Sequence, residues 1–542
     1  YGEWMKQEAF KRIGHLYPTV KDENGIERTV VAWIWARTVK CPNPGCGCEM
    51  PLANSFVLSS KKGREAYIQP TLLGGKAHYE VHKGKDAPSP PKFSRGKFKC
   101  IWCDTPILSD YIKSEGQEKR IGSRLMAIIA EGPKSRIYLS PTEEHEKIAT
   151  TISVDQCLDG MLVGKAADQL PLYGYSSFSD LYSNRQFVST ATFSDLIVQA
   201  RNKVEKDGGS QEYARAVGVF LGFAVDKLAD TNSMCVTWNI TRDGLRNTFS
   251  RQAIAMTWDF AEGNPFGNSS GCFSNALDWI KKSILSLPAA TPGKAKQHDA
   301  KKDIGLRQVV VSTDPPYYDN ICYADLSDYF YVWLRRSQKD VYPDLFGTIQ
   351  VPKEEELVAN PYRFNNGLSE EKQYFENGMV EAFRSINSYT NHNYPMTVYY
   401  AFKQGENDGA GIASTGWETM LSAIIQAGFA ITGTWPIRTE REARTIASNA
   451  NALASSIVLV CRKRSADAPV CTRRDFINAL KRELKPALDK LQASNIAPVD
   501  MAQSAIGPGM AVYSRYSKVL EADGQPMSVR SALQIINQEL DL

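Results

Sequence analysis

Between residues 308 and 320 the chain reads QVVVSTDPPYYDN, and Asp314, Pro315, Pro316 and Tyr317 stand where an apolar run stops. An acid, two prolines and an aromatic ring at the end of a strand form a chemical set. In open α/β sheets, reactive groups gather at the carboxyl ends of the strands. The prolines fix φ and stiffen the loop, and they offer carbonyl acceptors but no N–H donor. A carboxylate and carbonyls beside flat rings suit a planar group with an amino donor, such as the exocyclic NH₂ of adenine or cytosine. Tyr317 can stack on the base face, a contact worth about 1–3 kcal/mol. The plainer alternative is a rigid strand-to-helix turn with a capping aspartate.

A second set consists of thiols. Five of the eleven cysteines fall within residues 41–103. Cys41 and Cys46 make one close pair and Cys100 and Cys103 another, and four thiolates so grouped are structural-zinc chemistry. A closed four-thiolate site leaves no position for a substrate, so the metal is expected to be structural. Cys48 competes with Cys46; Cys46 is preferred because Gly47 after it permits the tight turn that aims backbone N–H groups at sulfur. The second pair departs from this form, since Asp104 follows Cys103. Buried free cysteines are the alternative. The other six (Cys157, Cys235, Cys272, Cys322, Cys461, Cys471) are scattered, which suits a reducing cytosol better than a disulfide framework.

These groups need elements to position them. Residues 1–20 read as a helix ending in a turn at Pro18, and the β-branched and aromatic stretch 29–39 as a strand running into the first cysteines. Residues 52–100 read as short strands and turns, and 101–130 as a compact segment ending in a helix-like apolar stretch. Residues 131–305 are mostly helical by pattern, with apolar residues at helical spacing in Gln211–Ala229 and a second candidate in Tyr182–Lys203. The polar stretch 289–303 reads as a mobile loop or linker. From 306 the pattern becomes strand–helix–strand. Leu306–Val311, ending in three valines, fits a strand covered on both faces. A helix at Tyr323–Arg336, strands at 396–402, 430–436 and 456–461, and helices at 369–388 and 416–427 argue an α/β layer. The tail from 473 is helical, with a break expected at Gly507-Pro508-Gly509.

The run STDPPYYDNI resembles motif IV of the amino-group DNA methyltransferases, Asp/Asn/Ser-Pro-Pro-Tyr/Phe/Trp. With YADLSDYFYVWLRR (323–336), VYYAFKQ (398–404), GTWP (433–436) and ANALASSIVLV (450–460), it resembles one family across essentially the whole chain. This is the adenine-specific DNA methylase family with an N-terminal domain of unknown function (number 1156) and a zinc ribbon, often found in anti-phage gene clusters. The resemblance implies methyl transfer from S-adenosylmethionine to N6 of adenine in double-stranded DNA, and a link to phage defence or restriction-modification with partner proteins of such systems. It implies that Asp314 and the Pro315 carbonyl hold the amino group while Tyr317 stacks on a flipped-out base.

The fold expected is α/β: a class I, Rossmann-like methyltransferase core with an inserted zinc ribbon and helical segments. Such enzymes also use a glycine-rich loop of the form D-P-F-x-G-x-G for the methionine part of the cofactor, and in this family it lies upstream of Tyr1. The N-terminal cofactor half is therefore expected to be absent from this chain, which opens on a non-Met residue. NPFGNSSG (264–271) is read as a helix-capping turn, and Gly409-Ala410-Gly411 lacks an acidic ribose partner. The expected division is 1–28 as a helix leading from the missing half, 29–130 as the zinc ribbon, 131–305 as a helical insertion and candidate target-recognition region, 306–465 as the catalytic half, and 466–542 as a helical tail.

The remaining candidates are weaker. Lys61, Lys62, Arg64, Lys92, Arg95, Lys97 and Lys99 can give the ribbon a basic face for phosphates, or line a solvated loop. His78 and His82 read as surface loop residues, and Glu143-Glu144-His145-Glu146 as the first turn of a solvated helix. Arg438, Glu440 and Arg441 suit surface ion pairing, with DNA or the methionine carboxylate as the alternative. Ser448, Asn449 and Asn451 suit either cofactor contact or turn capping. The net charge of +4 permits a nucleic-acid partner without requiring one. No apolar run reaches the length of a membrane span and no signal peptide opens the chain, so a cytoplasmic location is expected. N4-cytosine methylation, an RNA substrate and a non-catalytic zinc-containing DNA-binding module are the alternatives.

Overall fold

The β-branched and aromatic run beginning at Val30 forms strand β1 (Val30–Lys40), whose first ten residues are buried. The computed structural model describes residues 1–94, 97–287, 290–317, 321–364, 368–400, 415–438, 455–493 and 498–540. The fold is mixed α/β. The chain divides into two units, Tyr1–Lys294 with Tyr323–Lys353, and Ala295–Cys322 with Glu354–Leu542. Of the described residues, no helix is long and apolar enough to cross a membrane.

In the first unit, β1 is flanked by β2 (Glu49–Leu52), β3 (Gly122–Glu131), β4 (Arg136–Leu139) and β5 (Asp259–Gly263). The order is β4-β3-β1-β5, with all pairs antiparallel. β5 and β2 share one edge of β1 end to end, pairing with residues 32–36 and 37–40. One face of β1 packs Trp33 and Trp35 with Leu125, Ile128 and Phe260; the other packs Val31, Ile34 and Ala36 with Phe56, Leu58 and Ile68. The stretch 122–131 is thus a strand, not the helix-like segment expected. Leu125 to Ala130 are all buried. Pairing with β1 supplies both their hydrogen bonds and their cover, which overrides the helical preference of Leu, Met and Ala.

Around this sheet stand α1 (Glu143–Thr150), α2 (Asn184–Lys206), α3 (Gln211–Thr231), α4 (Phe273–Ser286) and α5 (Tyr323–Gln338). Their starts are written locally. Ser183 and Gln186 form a capping box on α2, and the Ser210 side chain accepts from the Tyr213 N–H on α3. A buried ion pair joins α2 to β5: Arg185 Nε meets Glu262 at 2.7 Å, and its guanidinium lies 4.1 Å from the Trp33 ring. The four acidic-helix residues behave differently from expectation at one position. His145 is buried, accepting from Trp33 Nε1 at 2.8 Å on Nδ1 and facing the Thr19 carbonyl at 3.2 Å with Nε2. That pairing fixes the neutral tautomer with the proton on Nε2. His78 and His82 lie on a strand, Lys76–Lys83, not in a loop, and His82 is exposed.

In the second unit, β6 (Ser312–Thr313), β7 (Met396–Tyr400), β8 (Phe429–Arg438) and β9 (Ser455–Lys463) form a sheet ordered β6-β7-β9-β8. β6 and β7 are parallel, while β9 runs antiparallel to both of its neighbours. Helices α6 (Leu368–Tyr389), α7 (Thr415–Gln426), α8 (Arg473–Ala493), α9 (Pro498–Ser514) and α10 (Val529–Leu540) accompany it. Phe383, Val398, Ile424, Phe476, Met510 and Ile536 share one core, so the tail from 473 belongs to this unit.

The three-valine run is not a strand covered on both faces. Val309 makes only an isolated parallel bridge with Thr390, and Val310 is 63% exposed. Among the described residues β6 has a neighbour on one side only, β7. The expected break at Gly507-Pro508-Gly509 is also absent, since all three lie within α9. A Cβ at Gly507 would run into Thr434 of β8, and one at Gly509 would meet Ile536 Cγ2 of α10 at 2.6 Å. These glycines serve close packing of the helix rather than its termination.

Candidate functional site

Asp314 follows β6 directly, so the acid leaves the sheet at the carboxyl end of a strand with a parallel neighbour. Its side chain is exposed, Pro315 is buried, and Pro316 and Tyr317 are half-buried. The Tyr317 hydroxyl donates to Asp314 Oδ1 at 2.9 Å, which braces the carboxylate. The Tyr317 ring packs edge-on against Tyr400, with centroids 5.1 Å apart and planes at 78°. Tyr400 in turn stacks on Trp417 at 5.6 Å and 27°. Tyr400 ends β7 and Trp417 lies in the first turn of α7, so the carboxyl ends of two parallel strands and a helix start converge on one aromatic wall.

Tyr400 and Trp417 were not singled out from sequence as site residues. Tyr400 sits in a strand-like run and Trp417 in a helical one, and core packing accounts for either residue until β6 and β7 are known to be neighbours.

The four cysteines named from spacing come together. The sulfurs of Cys41, Cys46, Cys100 and Cys103 all lie within 4.8 Å of one another. Cys41 and Cys103 are 3.6 Å apart, and Cys46 and Cys100 4.0 Å. Sulfurs bound tetrahedrally at the usual Zn–S length are about 3.8 Å apart. The set therefore fits a metal such as zinc. Cys48 stands outside it and donates to the Cys46 carbonyl at 3.2 Å.

Both cysteine turns share one backbone device. Gly47 has φ +58°, and the N–H groups of Cys46 and Gly47 donate to the Asn43 carbonyl at 2.9 Å. Asp104, where a glycine is the common form, has φ +56°, and its N–H donates to the Cys100 carbonyl at 2.9 Å. Aspartate is one of the few side chains that tolerates this left-handed region. Burial pushes the Cys41 and Cys100 thiols up, while the Thr105 hydroxyl and N–H beside the exposed Cys103 hold its thiol down to about 6. Val39, Leu52, Phe98 and Ile107 pack around the cluster as a small core.

The basic residues of the ribbon do not form a single strip of one element. Lys61 and Arg64 follow the strand Val57–Ser59, whereas Lys92, Lys97 and Lys99 belong to a separate small sheet. Lys92 donates to Asn54 and Lys99 pairs with Asp104. Arg95 lies outside the described residues.

The segment 264–271 is a capping turn. Asn264 Nδ2 donates to the Val30 carbonyl at 2.8 Å, and the Phe273 N–H at the head of α4 donates to the Pro265 carbonyl at 2.9 Å. It belongs to the first unit, and the Asp314 loop to the second. Gly409-Ala410-Gly411, Glu440, Arg441, Ser448, Asn449 and Asn451 lie outside the described residues, as does the side chain of Arg438.

Beside β6, the described residues include no glycine-rich loop with an acidic ribose partner. Compared with protein-family models, with curated proteins and with solved structures, the chain matches none of them.

Proposed function

We propose that this chain carries the target-base site of an S-adenosylmethionine-dependent DNA methyltransferase acting on the N6 amino group of adenine. One observation carries the reading: Asp314 stands exposed at the carboxyl end of β6, braced by Tyr317 and backed by the Tyr400–Trp417 wall. The half-sheet β6-β7-β9-β8 with a parallel pair at its β6 edge supports a class I, Rossmann-like core, where ligands meet strand carboxyl ends. The thiolate cluster supports a structural zinc ribbon in the first unit.

An amino group placed on the loop donates to the Asp314 carboxylate and the Pro315 carbonyl. Those two bonds orient the nitrogen and turn its lone pair away from the ring. Tyr317 supplies the flat surface for a base taken out of the duplex, and Pro316 keeps the loop from yielding. S-adenosylmethionine would supply the methyl group, its sulfonium–methyl bond breaking to leave the neutral thioether, and the amino nitrogen would give up one proton to solvent. The protein's share of the rate is position and electrostatics.

A second reading is favoured by the closed thiolate set: a zinc-containing DNA-binding module without catalysis. The test is transfer of labelled methyl to unmethylated phage DNA, followed by digestion to nucleosides, using this chain, a version extended upstream, and Asp314→Ala in both. Label in N6-methyladenosine, lost with Asp314→Ala, is the expected result. Label in N4-methylcytosine would move the target to cytosine. DNA binding that survives Asp314→Ala, with no transfer by any form, would leave the binding module.

A further inference from the structure

Three tight turns from distant parts of the first unit meet at one open cleft of about 340 Å³. The turn after the strand Val57–Ser59 contributes Lys61 and Arg64. The β3–β4 hairpin contributes Lys134 and Arg136, its turn closed by the Gly132 N–H donating to the Ser135 carbonyl at 2.8 Å. The hairpin joining Trp238–Asn239 to Gly244–Leu245 contributes Arg242 and Asp243.

Charge is the informative feature. Five cations against one carboxylate leave an excess of +4, equal to the net charge of the whole 542-residue chain. The carboxylate is already committed. Asp243 is buried, meets Lys61 Nζ at 2.8 Å, and accepts from the Tyr138 hydroxyl at 2.9 Å and the Ser59 hydroxyl at 3.2 Å. It holds its position with φ +53°, in the left-handed region that favours glycine. Asp243 thus works as a clamp that fixes Lys61 and joins the turns. Among the described residues, Arg64, Lys134, Arg136 and Arg242 have no acidic group within 4.0 Å. Like charges gathered on stiff turns repel one another, and an anion relieves that repulsion.

The cleft's chemistry selects the kind of anion. No aromatic or apolar side chain lines it. A nucleotide held by its base is therefore poorly served, whereas a chain of phosphates needs only the cations. Phosphate contacts position a protein on nucleic acid without reading its sequence.

We propose that Arg64, Lys134, Arg136 and Arg242, with Lys61 clamped by Asp243, form a site for the phosphodiester backbone of nucleic acid that is indifferent to sequence. This deepens the DNA reading above, but its test measures binding and not methyl transfer, so either can fail without the other.

The experiment compares the intact chain with the triple variant Arg64→Ala, Arg136→Ala, Arg242→Ala. The probes are two fluorescent duplexes of unrelated sequence, titrated between about 50 and about 200 mM salt. Removing three phosphate contacts should flatten the slope of log K against log salt by about 2.7. Affinity should fall alike on both duplexes. The charge-preserving triple to lysine should keep the slope, and a charge-matched variant at Lys11, Lys147 and Lys206 should leave it unchanged. An unchanged slope in the alanine triple overturns the proposal. So does a loss confined to one sequence, which is base readout. Loss of inorganic tripolyphosphate binding with duplex binding intact also overturns it, since that describes a small-anion site. The melting temperature of each variant separates these outcomes from misfolding.

Discussion

The thiolate cluster and the Asp314 loop are built on opposite plans. The cluster is closed: its four sulfurs face one another, its two turns use the same left-handed backbone, and a small core packs against Cys41 and Cys100. The Asp314 loop is open: its acid is exposed, its strand is two residues long, and that strand has one described neighbour. A closed set of ligands suits a permanent occupant that holds a fold together. An open edge of acceptors and rings suits an occupant that comes and goes. The two architectures therefore suit different kinds of occupant.

The largest test of that contrast is to break the cluster. Cys100→Ser should abolish zinc binding measured by elemental analysis. It should destabilise residues 41–107 toward proteolysis, because structural zinc contributes on the order of 10 kcal/mol to small domains. Cys48→Ser should leave the zinc content unchanged. Asp314→Ala should do the reverse of Cys100→Ser, lowering methyl transfer by about 10³-fold while the melting temperature stays put. If Asp314→Ala unfolds the second unit, the loop is structural and the contrast fails.

Two further variants ask whether the scaffolds differ as the sites do. The second unit's sheet is tightly packed although its loop is open, so Gly507→Ala should cost about 1–3 kcal/mol in denaturant unfolding. In the first unit, β1 runs from the Trp33–His145 contact to the edge of the cluster. Burial lowers the pKa of His145, so the folded chain refuses a proton that the unfolded chain accepts below about 6.5. Stability should accordingly fall as pH drops from 7 to 5, by up to about 1.4 kcal/mol per unit, and less steeply in His145→Gln. The smallest effect is expected at Asp104→Gly. Relief of the left-handed backbone should outweigh loss of the exposed Lys99 pair by about 0.5 kcal/mol, read as a slight rise in melting temperature.

Whatever depends on neighbours in sequence was legible from the sequence alone. The four clustered cysteines come as two close pairs, so only the meeting of the pairs was left open. Two helices carry caps written beside them, Ser183 with Gln186 on α2 and the Ser210 hydroxyl on α3, and α2, α3, α5, α6 and α7 lie where their periodicity puts them. Acid, prolines and tyrosine adjoin in the chain, so the Asp314 loop could be named, though its aromatic wall could not. Tertiary structure decided the rest. Gly122–Glu131 is a strand because β1 lies beside it, and Val310 is exposed, its neighbour Val309 making only an isolated bridge. Gly507 lies inside a helix, and it is glycine because Thr434 leaves no room for a Cβ there. The cationic cleft draws its charges from residues 61 to 242: Lys61 and Arg64 stood out in their own basic stretch, but Lys134, Arg136 and Arg242 join them only in the fold. Burial, pairing and summed charge are properties of what surrounds a residue, and a chain read in one dimension does not contain them.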